Sequence, residues 1–465
     1  MAYIKSNFNP YEFADAFRQR HHYMFIQSED TVIIEKMMFY DEAKGKYDFI
    51  CRNHFKGIIK QELGREPEKL SQLDTIYKDL TVEVPGSPHM IHMNEINADE
   101  RYINFENGIY DIAHDTILPH SPEYHYTIQI PCSYDPTERP KCPKVLSDFL
   151  LHGFDGDKEQ IALLFEYYGL GMSNMNAAKF KKSLFIVGEG NTGKSVLRDL
   201  IIHLIGENNC DNTDLETLNT RFGPASLFQK RIGGCSDMSF SKITQLHNFK
   251  LAVGGDPMTV ENKGEKAFQM RFKGLLIYCT NALPQFGGDL GNQVFDRMTI
   301  MKTVGQTYAP GTPPPSPKAV PRNPHLLNEL LQEDCKKFIV YRAMQALKGF
   351  IKNDCQFHTT AKNEQYLNEY ISTMRSVEYF LKDCCEDKST STNKKHYSTA
   401  EIYRTYETWC LTSNPVKQVF TKKEFVEQLT ICGMAEHRKI DGYPCYTRFT
   451  LTESADLAYK PTAIK

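Results

Sequence analysis

The sequence lacks the features that mark several classes of protein. Its 13 cysteines include no Cys-x-x-Cys pair and no paired Cys/His spacing, which excludes the usual zinc sites. The adjacent Cys384 and Cys385 cannot form an ordinary disulfide. No apolar run approaches the roughly 18 residues of a membrane span, and the N-terminus lacks the basic-then-apolar pattern of a signal peptide. We therefore expect a soluble, cytoplasmic protein with free thiols and no membrane partner.

The net charge is also small, at −3, but the charge is unevenly distributed. From Lys336 to Lys465 the chain has 20 Lys and Arg against 15 Asp and Glu. A modest basic excess of this kind favours a polyanionic partner for the C-terminal end. The length of 465 residues allows two to four domains, and the hydrophobic fraction of 41% supports sizeable cores.

A phosphate-binding motif is the strongest signal that is present. Gly188, Gly193, Lys194 and Ser195 fit the pattern G-x-x-x-x-G-K-[ST]. An apolar run suited to a buried strand, residues 183–187, precedes it, and helical apolar spacing over residues 196–205 follows. Backbone N–H groups of such a loop surround phosphate oxygens at a helix N-terminus. The predicted nucleotide-binding residues are Gly188, Glu189, Gly190, Asn191, Thr192, Gly193, Lys194 and Ser195.

Within this loop, Lys194 is expected to reach the β- and γ-phosphates, and Ser195 to hold Mg²⁺. Residues 231–237 are predicted to form a second strand that ends in Asp237, a further Mg²⁺ ligand. The local sequence alone favours an ordinary capping residue before a turn, and only the position of Asp237 along the chain favours the Mg²⁺ role. Met238 follows it, so no second acid is available as an obvious general base. Residues 274–280 form a convincing buried strand, and Asn281 at its tip is predicted to sense the γ-phosphate or orient the attacking water.

Between these two strands, the pattern predicts a hairpin with a basic tip. Residues 259–261 and 267–272 are its strands, and Lys263 and Lys266 lie in the turn. Two lysines on a tip can follow phosphates without reading bases, although most lysine-bearing turns are simply solvated. Arg297 opens the next predicted strand, at residues 298–304, and is either a surface residue or an arginine that reaches a neighbouring subunit's nucleotide.

The N-terminal part mixes predicted strands at residues 31–38 and 46–50 with a helix at 52–63. Residues 103–112 are predicted as a strand interrupted by a turn at Asn107 and Gly108. Asp111 and Asp115 are the best candidates for a polymerase-type pair of carboxylates, but the sequence favours a solvated loop. The proline-rich segments 131–143 and 310–324 are predicted to be linkers, the second solvated and mobile.

The C-terminal part is predicted to be a winged helix. Helices at residues 377–385, 399–411 and 422–432 precede a hairpin at 434–451 that turns at Asp441 and Gly442. In a DNA-binding interpretation, the third helix enters the major groove and the hairpin contacts phosphate. The alternative is a winged helix that binds protein. The predicted DNA-contacting residues here are Lys422, Lys423, Arg438, Lys439 and Arg448.

Taken in order, these motifs resemble the superfamily III helicases, and within them the poxvirus and phage/plasmid primase-helicase group. The stretch FKLAVGGDPMTVENKGEKAFQMRFKGLLIYCTNALP is similar to the most distinctive segment of that group. The stretches INFENGIYDI and IPCSYDP look like its usual N-terminal module. The layout, without an upstream primase domain, looks like the replication initiator helicases of staphylococcal pathogenicity islands and related mobile elements. The resemblance is good over about residues 100–350 and weaker elsewhere.

The resemblance implies an α/β fold with an AAA+-type P-loop ATPase core, an α+β N-terminal module and a C-terminal winged-helix domain. The expected domains are residues 1–141, 142–366 and 367–465. It implies ATP and Mg²⁺ as cofactors bound by Lys194, Ser195 and Asp237, with Asn281 as the sensor and Arg297 acting in trans. Lys263, and less certainly Lys266, would grip single-stranded DNA inside a ring, usually a hexamer. The single acid at Asp237 departs from the commoner paired-acid pattern and leaves the catalytic base unassigned.

The sequence therefore predicts an ATP-driven replicative DNA helicase that also binds duplex origin DNA and loads itself, with host replication proteins as possible partners. Two alternatives stay open at this point. One is a P-loop motor without unwinding activity, such as a packaging or remodelling ATPase. The other is an origin-binding protein whose core binds nucleotide as a switch and barely hydrolyses it, which the missing second acid would favour.

Overall fold

The structure is a computed structural model, which describes residues 8–28, 33–81, 89–238, 242–243, 245–264, 266–286, 292–393, 395–412, 419–440 and 442–459. The chain forms two compact units. The first comprises Met1–Met238, Leu246–Asn281 and Lys302–His358, and the second comprises Ser239–Gln245, Ala282–Met301 and Thr359–Lys465. Within the described ranges, no helix combines the length and the apolar character needed to cross a membrane.

Helices and strands are interspersed along the chain, and both units contain helices. The helices are α1 (Pro10–Arg20), α2 (Arg52–Leu63), α3 (Pro67–Leu70), α4 (Leu73–Thr81), α5 (Lys144–Gly153), α6 (Lys158–Met172), α7 (Ala177–Phe180), α8 (Lys194–Ile205), α9 (Leu215–Leu218), α10 (His247–Gly254), α11 (Asn292–Phe295), α12 (Leu326–Leu330), α13 (Glu333–Lys352), α14 (Ala361–Met374), α15 (Ser376–Cys384), α16 (Thr399–Thr412), α17 (Lys422–Ile431) and α18 (Glu453–Ala458).

The strands are mostly short. They are β1 (Tyr23–Gln27), β2 (Ile33–Asp41), β3 (Lys46–Ile50), β4 (Met90–His92), β5 (Tyr102–Phe105), β6 (Gly108–Asp111), β7 (Thr116–Leu118), β8 (Ser183–Val187), β9 (Ile232–Gly233), β10 (Lys242–Ile243), β11 (Pro257–Val260), β12 (Phe268–Arg271), β13 (Leu275–Thr280), β14 (Gln285–Phe286), β15 (Met298–Lys302), β16 (Thr307–Tyr308), β17 (Val320–Pro321), β18 (Cys385–Asp387), β19 (His437–Ile440), β20 (Tyr443–Tyr446) and β21 (Phe449–Leu451).

The first unit begins with a four-stranded sheet in the order β3-β2-β1-β4, covered by α1, α2 and α4. Phe17, Tyr23, Phe55 and Ile76 are fully buried between the helices and the sheet, because each helix presents apolar residues at helical spacing. The predicted strand at 46–50 and helix at 52–63 are confirmed. The strand predicted at 31–38 is confirmed from residue 33 onward, and its first two residues lie outside the described part of the chain.

A small antiparallel sheet, β5-β6-β7, follows and confirms the predicted strand–turn–strand. The prediction of a solvated loop is wrong for Asp111, which is 3% exposed. Arg101 donates to both of its carboxylate oxygens, at 2.9 and 2.6 Å, and holds the pKa of Asp111 well below its usual value. The carboxylate of Asp115 accepts from Lys348 at 2.5 Å. Each acid is therefore paired with a cation, Asp111 with Arg101 and Asp115 with Lys348, and the two carboxylates are not arranged as a catalytic pair.

A parallel sheet lies at the centre of the first unit, with β13 between β8 and β9. All residues of β8 and β13 are buried, as expected for parallel strands covered on both faces. Together with the helices around it, this sheet confirms the predicted α/β class. The same unit contains the helices α5, α6, α12 and α13, and α6 packs along α13.

The strand predicted at residues 231–237 is much shorter than expected. Only Ile232 and Gly233 pair with β13, and the next residue, Gly234, has a φ of +103°. A Cβ atom at Gly234 would lie 2.1 Å from the carbonyl oxygen of Ile277, so the chain approaches β13 there more closely than any other residue allows. Asp237 therefore follows an irregular segment and does not end a regular strand.

The second unit contains the helices and the hairpin predicted for the C-terminal end. Its core is aromatic: Phe380, Tyr406, Trp409 and Phe425 are buried, and the ring of Phe380 contacts the other three. Thr421 caps α17 in a capping box with Glu424. β19 and β20 pair as an antiparallel hairpin, while β18 pairs with β21. Asp441, predicted at the hairpin turn, lies outside the described residues.

Candidate nucleotide and nucleic-acid sites

The phosphate-binding motif has the geometry of a strand, a loop and a helix. β8 ends at Val187, the loop covers residues 188–193, and α8 begins at Lys194. Gly193 immediately before the helix has a φ of +85°, and Asn191 has a φ of +65°, so the loop turns sharply twice. The predicted strand and helix around the motif are confirmed. The free N–H groups of the first turn of α8 consequently face the concave side of the loop.

Lys194 is held inside the loop by the loop's own backbone. Its Nζ donates to the carbonyl oxygens of Gly188 and Glu189, each at 2.7 Å, and the residue is 8% exposed. Burial lowers the pKa of the ammonium, while the charge of Asp237 acts in the opposite direction. Two hydrogen bonds therefore fix the ammonium of Lys194 against the backbone of the loop.

The loop is supported by Thr303, a residue that lies outside the sequence motif. Thr192 Oγ1 donates to Glu189 O at 2.9 Å and lies 2.8 Å from Thr303 Oγ1. Thr303 in turn donates its N–H to Val187 O at 2.8 Å. A Cβ at Gly188 would lie 2.4 Å from Thr303 Oγ1, which explains why glycine is needed at the first position of this loop. No sequence signal marks a threonine more than a hundred residues away as its support.

Asn281 and Asp237 lie at the same edge of the sheet as the loop. Gly188 N–H donates to Thr280 O at 3.3 Å, so Asn281 emerges directly beside the loop. Cys279 N–H donates to Cys235 O at 2.9 Å and Met238 N–H to Cys279 O at 3.0 Å, which carries Asp237 to the tip of β13. Asp237, Asn281 and Ser195 are all exposed at this edge.

A buried arginine, Arg198, ties this edge together. It is 1% exposed, and Nη2 donates to Asp211 O at 3.0 Å and to Gly234 O at 2.5 Å, while Nε reaches Ile277 O at 3.4 Å. The guanidinium thus joins α8 to β13 and to the segment that leads to Asp237. The sequence signal that could have identified Arg198 is a cation four residues after Lys194, on a helix face otherwise filled by leucine and isoleucine.

A cavity of about 970 Å³ opens beside the loop. Its walls come from α5, the start of α8 and residues 305–327. The proline-rich segment 310–324 is predicted to be a solvated linker; its last residues, 320–324, are exposed as predicted, and they also line the cavity. Apolar side chains that suit a planar base are combined there with cations and amides that suit phosphate. The apolar lining residues are Val145, Phe149, Val196, Val320, Pro321, Pro324, Leu326 and Leu327.

The predicted lysine-bearing hairpin is also present in the first unit. β11 and β12 pair in antiparallel register from Pro257 with Arg271 to Val260 with Phe268. Met258, Val260, Phe268 and Met270 are buried on one face, which fixes the base of the hairpin. Arg221 donates twice to the carboxylate of Glu261, at 2.8 Å each, and so anchors the end of β11.

The tip of this hairpin projects its lysines into solvent. Lys263 and Lys266 are exposed, and Gly264 turns the chain with a φ of +86°. Glu265 lies outside the described residues. A firmly anchored base with an exposed basic tip is suited to contacting a polyanion.

The remaining predicted residues belong to the second unit. Arg297 is half-buried, and its Nη1 donates to Gln293 O at 2.6 Å. Lys422 and Lys423 are exposed in the first turn of α17, and Arg438 and Lys439 are exposed on β19. Arg448 differs from them, because its guanidinium binds the Glu436 carboxylate at 2.7 Å and Gly433 O at 3.1 Å.

Two family models match parts of the chain. The model described as "D5 N terminal like" matches residues 18–152, and a family of unknown function, DUF5906, matches residues 186–294. A search of curated proteins gave no match. Among solved structures, the A-form apo structure of the NrS-1 C-terminal region is 12% identical with a TM-score of 0.46, covering 96% of this chain and 100% of that one. A second apo structure of that region is 12% identical with a TM-score of 0.45, covering 95% and 99%.

The match of residues 18–152 to the D5-like model supports the coarse part of the predicted resemblance, a relation to D5-like primase-helicases of phages and viruses. The second match covers the phosphate-binding loop, the lysine hairpin and Asn281 within one family model. The two models match separate segments of the chain.

Proposed function

We propose that this chain is an ATP-dependent replicative DNA helicase of the superfamily III type and the self-loading replication initiator of a mobile element. The observation that carries the proposal is the combination, within one compact unit, of a phosphate-binding loop and an exposed lysine hairpin. The D5-like match of residues 18–152 supports a role in DNA replication. The closer likeness to initiator helicases of staphylococcal pathogenicity islands rests on the sequence motifs alone.

In the proposed nucleotide site, the loop N–H groups and Lys194 bind the phosphates of ATP. Asn281, which emerges beside Gly188, orients the attacking water or senses the γ-phosphate. The Ser195 hydroxyl and the Asp237 carboxylate are the hard oxygen donors that suit Mg²⁺, and nucleotide sites need only one or two of them besides the phosphates. Mg²⁺, when bound, would neutralise charge at the β- and γ-phosphates. No group of three or more His, Cys, Asp or Glu side chains in the described ranges forms a separate metal site.

In the proposed DNA machinery, the subunits assemble into a ring, most simply a hexamer. Lys263 and Lys266 grip one strand of DNA in the channel, and Arg297 acts on the nucleotide of the neighbouring subunit. The second unit, with its helices and hairpin in the order of a winged helix, binds duplex origin DNA. Lys422, Lys423, Arg438 and Lys439 make most of the phosphate contacts, and the ion-paired Arg448 contributes less. Host replication proteins would act as loading or restart partners.

Strand separation on a forked DNA substrate tests this proposal. The wild-type protein should hydrolyse ATP faster when single-stranded DNA is added, and should separate the fork only with ATP and Mg²⁺. DNA-stimulated hydrolysis without separation would instead identify a packaging or remodelling motor and would refute the helicase.

A second function is favoured by the residue after Asp237. Met238 is buried, and its carbonyl accepts from Thr280 Oγ1 at 3.4 Å, so no carboxylate stands there to activate water. An origin-binding protein that uses nucleotide as a switch would bind ATP and hydrolyse it at a rate unaffected by DNA. If Lys194→Ala left replication of a reporter origin intact, hydrolysis would be dispensable and the switch would replace the motor.

A further inference from the structure

Arg322 is attached to the phosphate-binding loop through a pair of short strands. In the parallel pair β16 and β17, Thr307 lies opposite Val320. Thr307 donates its N–H and its hydroxyl to Asn191 O, each at 3.0 Å, which fastens β16 to the loop. Arg322 N–H continues the ladder by donating to Tyr308 O at 2.8 Å. The backbone of Arg322 is thereby fixed relative to the loop, although about a hundred and thirty residues separate them.

The guanidinium of Arg322 faces the same loop. Its Nη2 donates to Oδ1 of Asn191, the fourth residue of the motif. Lys194 likewise donates to neutral carbonyl oxygens of the loop. Two cations therefore rest on uncharged acceptors of one phosphate-binding loop. Because a hydrogen bond from a guanidinium to a charged phosphate oxygen is stronger than one to an amide, a phosphate group would draw both cations from these acceptors.

The charges around Arg322 favour an anionic ligand. Arg322, Lys194 and Lys144 line the cavity of about 970 Å³. Of the described residues that line it, Asp148 alone has a carboxylate, and Lys144 pairs with it. The positive charges of Arg322 and Lys194 thus have no acidic counterpart in the cavity wall. The apolar residues beside Arg322, Val320 and Leu327, leave room for the rest of a nucleotide.

We propose that Arg322 is a nucleotide-binding residue of its own subunit, which exchanges Asn191 Oδ1 for an oxygen of the α- or β-phosphate when nucleotide binds. This inference rests on the proposed nucleotide-binding function of the loop and extends it. Arg322 lines the same cavity as Val320 and Leu327, so it approaches the phosphate chain from the side on which the cavity leaves room for the nucleoside. The role differs from that of Arg297, which is proposed to act on a neighbouring subunit.

Two substitutions separate this role from simple bracing of the loop. Arg322→Gln keeps an amide donor for Asn191 but removes the charge. Arg322→Lys keeps the charge and changes the donor geometry. If Arg322 only braces the loop, glutamine should be tolerated at least as well as lysine. If it binds phosphate, lysine should be the better replacement, because the charge is what the ligand needs. Arg322 is exposed, so neither change should impair folding, and melting curves would verify this.

The test is calorimetric titration of the full-length protein with ADP and Mg²⁺. Lys318→Gln is the matched control, because Lys318 is a cation of the same segment that binds Asp155 at 2.7 Å, away from the cavity wall. Arg322→Gln should weaken ADP binding by about tenfold to a hundredfold, the range of one charge-assisted hydrogen bond. Arg322→Lys should recover part of this loss, and Lys318→Gln should stay within about twofold of the wild type.

The possible results distinguish the inference from the proposed function. If the wild type binds ADP and Arg322→Gln binds equally well, Arg322 is not a phosphate contact, and the proposed function stands. The same conclusion follows if Arg322→Lys binds as weakly as Arg322→Gln. If the wild type itself does not bind ADP, the proposed nucleotide site is refuted, and this inference with it. In ATP turnover, Arg322→Gln should raise KM more than it lowers kcat, which a general loss of folded protein would not do.

Discussion

Lys194 and Lys263 carry the same ammonium group in opposite surroundings. Lys194 is buried in a loop, bonded to two carbonyl oxygens at 2.7 Å, and burial lowers its pKa. Lys263 stands exposed at the tip of a hairpin whose base is packed and ion-paired. The first arrangement suits a ligand of fixed geometry, such as a triphosphate. The second suits a ligand that moves past the protein, such as a DNA strand. The comparison therefore distinguishes, within one unit, a lysine suited to binding ATP from a lysine suited to contacting a moving DNA strand.

The largest effect is expected at the buried lysine. Lys194→Ala should reduce ATP hydrolysis by at least about a hundredfold, because it removes the cation that stabilises charge on the transferring phosphoryl group. A colorimetric phosphate-release assay measures this, with Lys263→Ala as the control of equal chemistry. Comparable losses of basal hydrolysis in the two variants would contradict the proposal that Lys194 acts on ATP and Lys263 acts on DNA.

The exposed lysine should affect unwinding and spare hydrolysis. Lys263→Ala should lose most strand separation on a fork while its DNA-free ATPase rate stays within about twofold of the wild type. Lys263→Arg, which keeps the charge, should retain much of the unwinding, and Lys266→Ala should show a smaller loss than Lys263→Ala. Undiminished unwinding by Lys263→Ala would refute the placement of this hairpin in the DNA channel.

Mixing experiments extend the comparison to Arg297. Arg297→Ala and Lys194→Ala should each have little ATPase activity alone, but mixed rings should recover some of it. Recovery is expected because an intact loop in one subunit can then face an intact arginine in the next. Native mass spectrometry would confirm that the rings are mixed. Mixed rings without any recovered activity would exclude action in trans.

The exposed lysines of α17 are expected to contribute to the binding of duplex DNA. Lys422→Ala combined with Lys423→Ala should weaken duplex binding by about tenfold and lower the slope of log affinity against log salt by about two. Fluorescence anisotropy with an origin duplex measures both quantities. Lys395→Ala is the control, because that lysine is an exposed cation of the same unit but binds Asp456 at 2.7 Å. An unchanged salt slope would remove α17 from the interface.

The smallest effect is expected at Arg448. Its guanidinium already binds Glu436, so Arg448→Gln should weaken duplex binding less than Arg438→Gln and destabilise the fold by less than about 1 kcal/mol. The anisotropy assay and a urea titration measure the two quantities. A loss of binding at Arg448 that equalled the loss at Arg438 would show that the ion pair opens readily on DNA.

The parts that sequence predicted well are those whose constraints are local. The phosphate-binding loop combines glycine, lysine and serine at fixed spacing between an apolar strand and a helix, so its geometry follows from a few neighbouring residues. The lysine hairpin was equally visible, because β11 and β12 flank a short polar turn. The α/β class is what the family resemblance implies, and the buried parallel strands β8 and β13 agree with it.

The parts that sequence missed depend on contacts between distant segments. Thr303 supports the phosphate-binding loop through its contact with Thr192, which is distant in sequence. Residues 320–324 line the cavity, although they end a proline-rich stretch that resembles a linker. Residues 231–237 read as one strand, but Gly234 must approach Ile277 closely, and the regular ladder with β13 stops after Gly233. Asp111 was assigned to solvent because nothing nearby in sequence showed that Arg101 would bind it. Spacing within a segment cannot reveal partners of this kind.

The central claim is that nucleotide bound at Lys194 drives a DNA strand past Lys263. Electron microscopy of the protein with a non-hydrolysable ATP analogue, Mg²⁺ and forked DNA tests it most directly. The account predicts a closed ring with nucleotide against the loop at residues 188–195 and one DNA strand in the channel, contacted by the hairpin tips. A protein that stays monomeric under these conditions, or a ring whose hairpins do not touch the DNA strand, would contradict it.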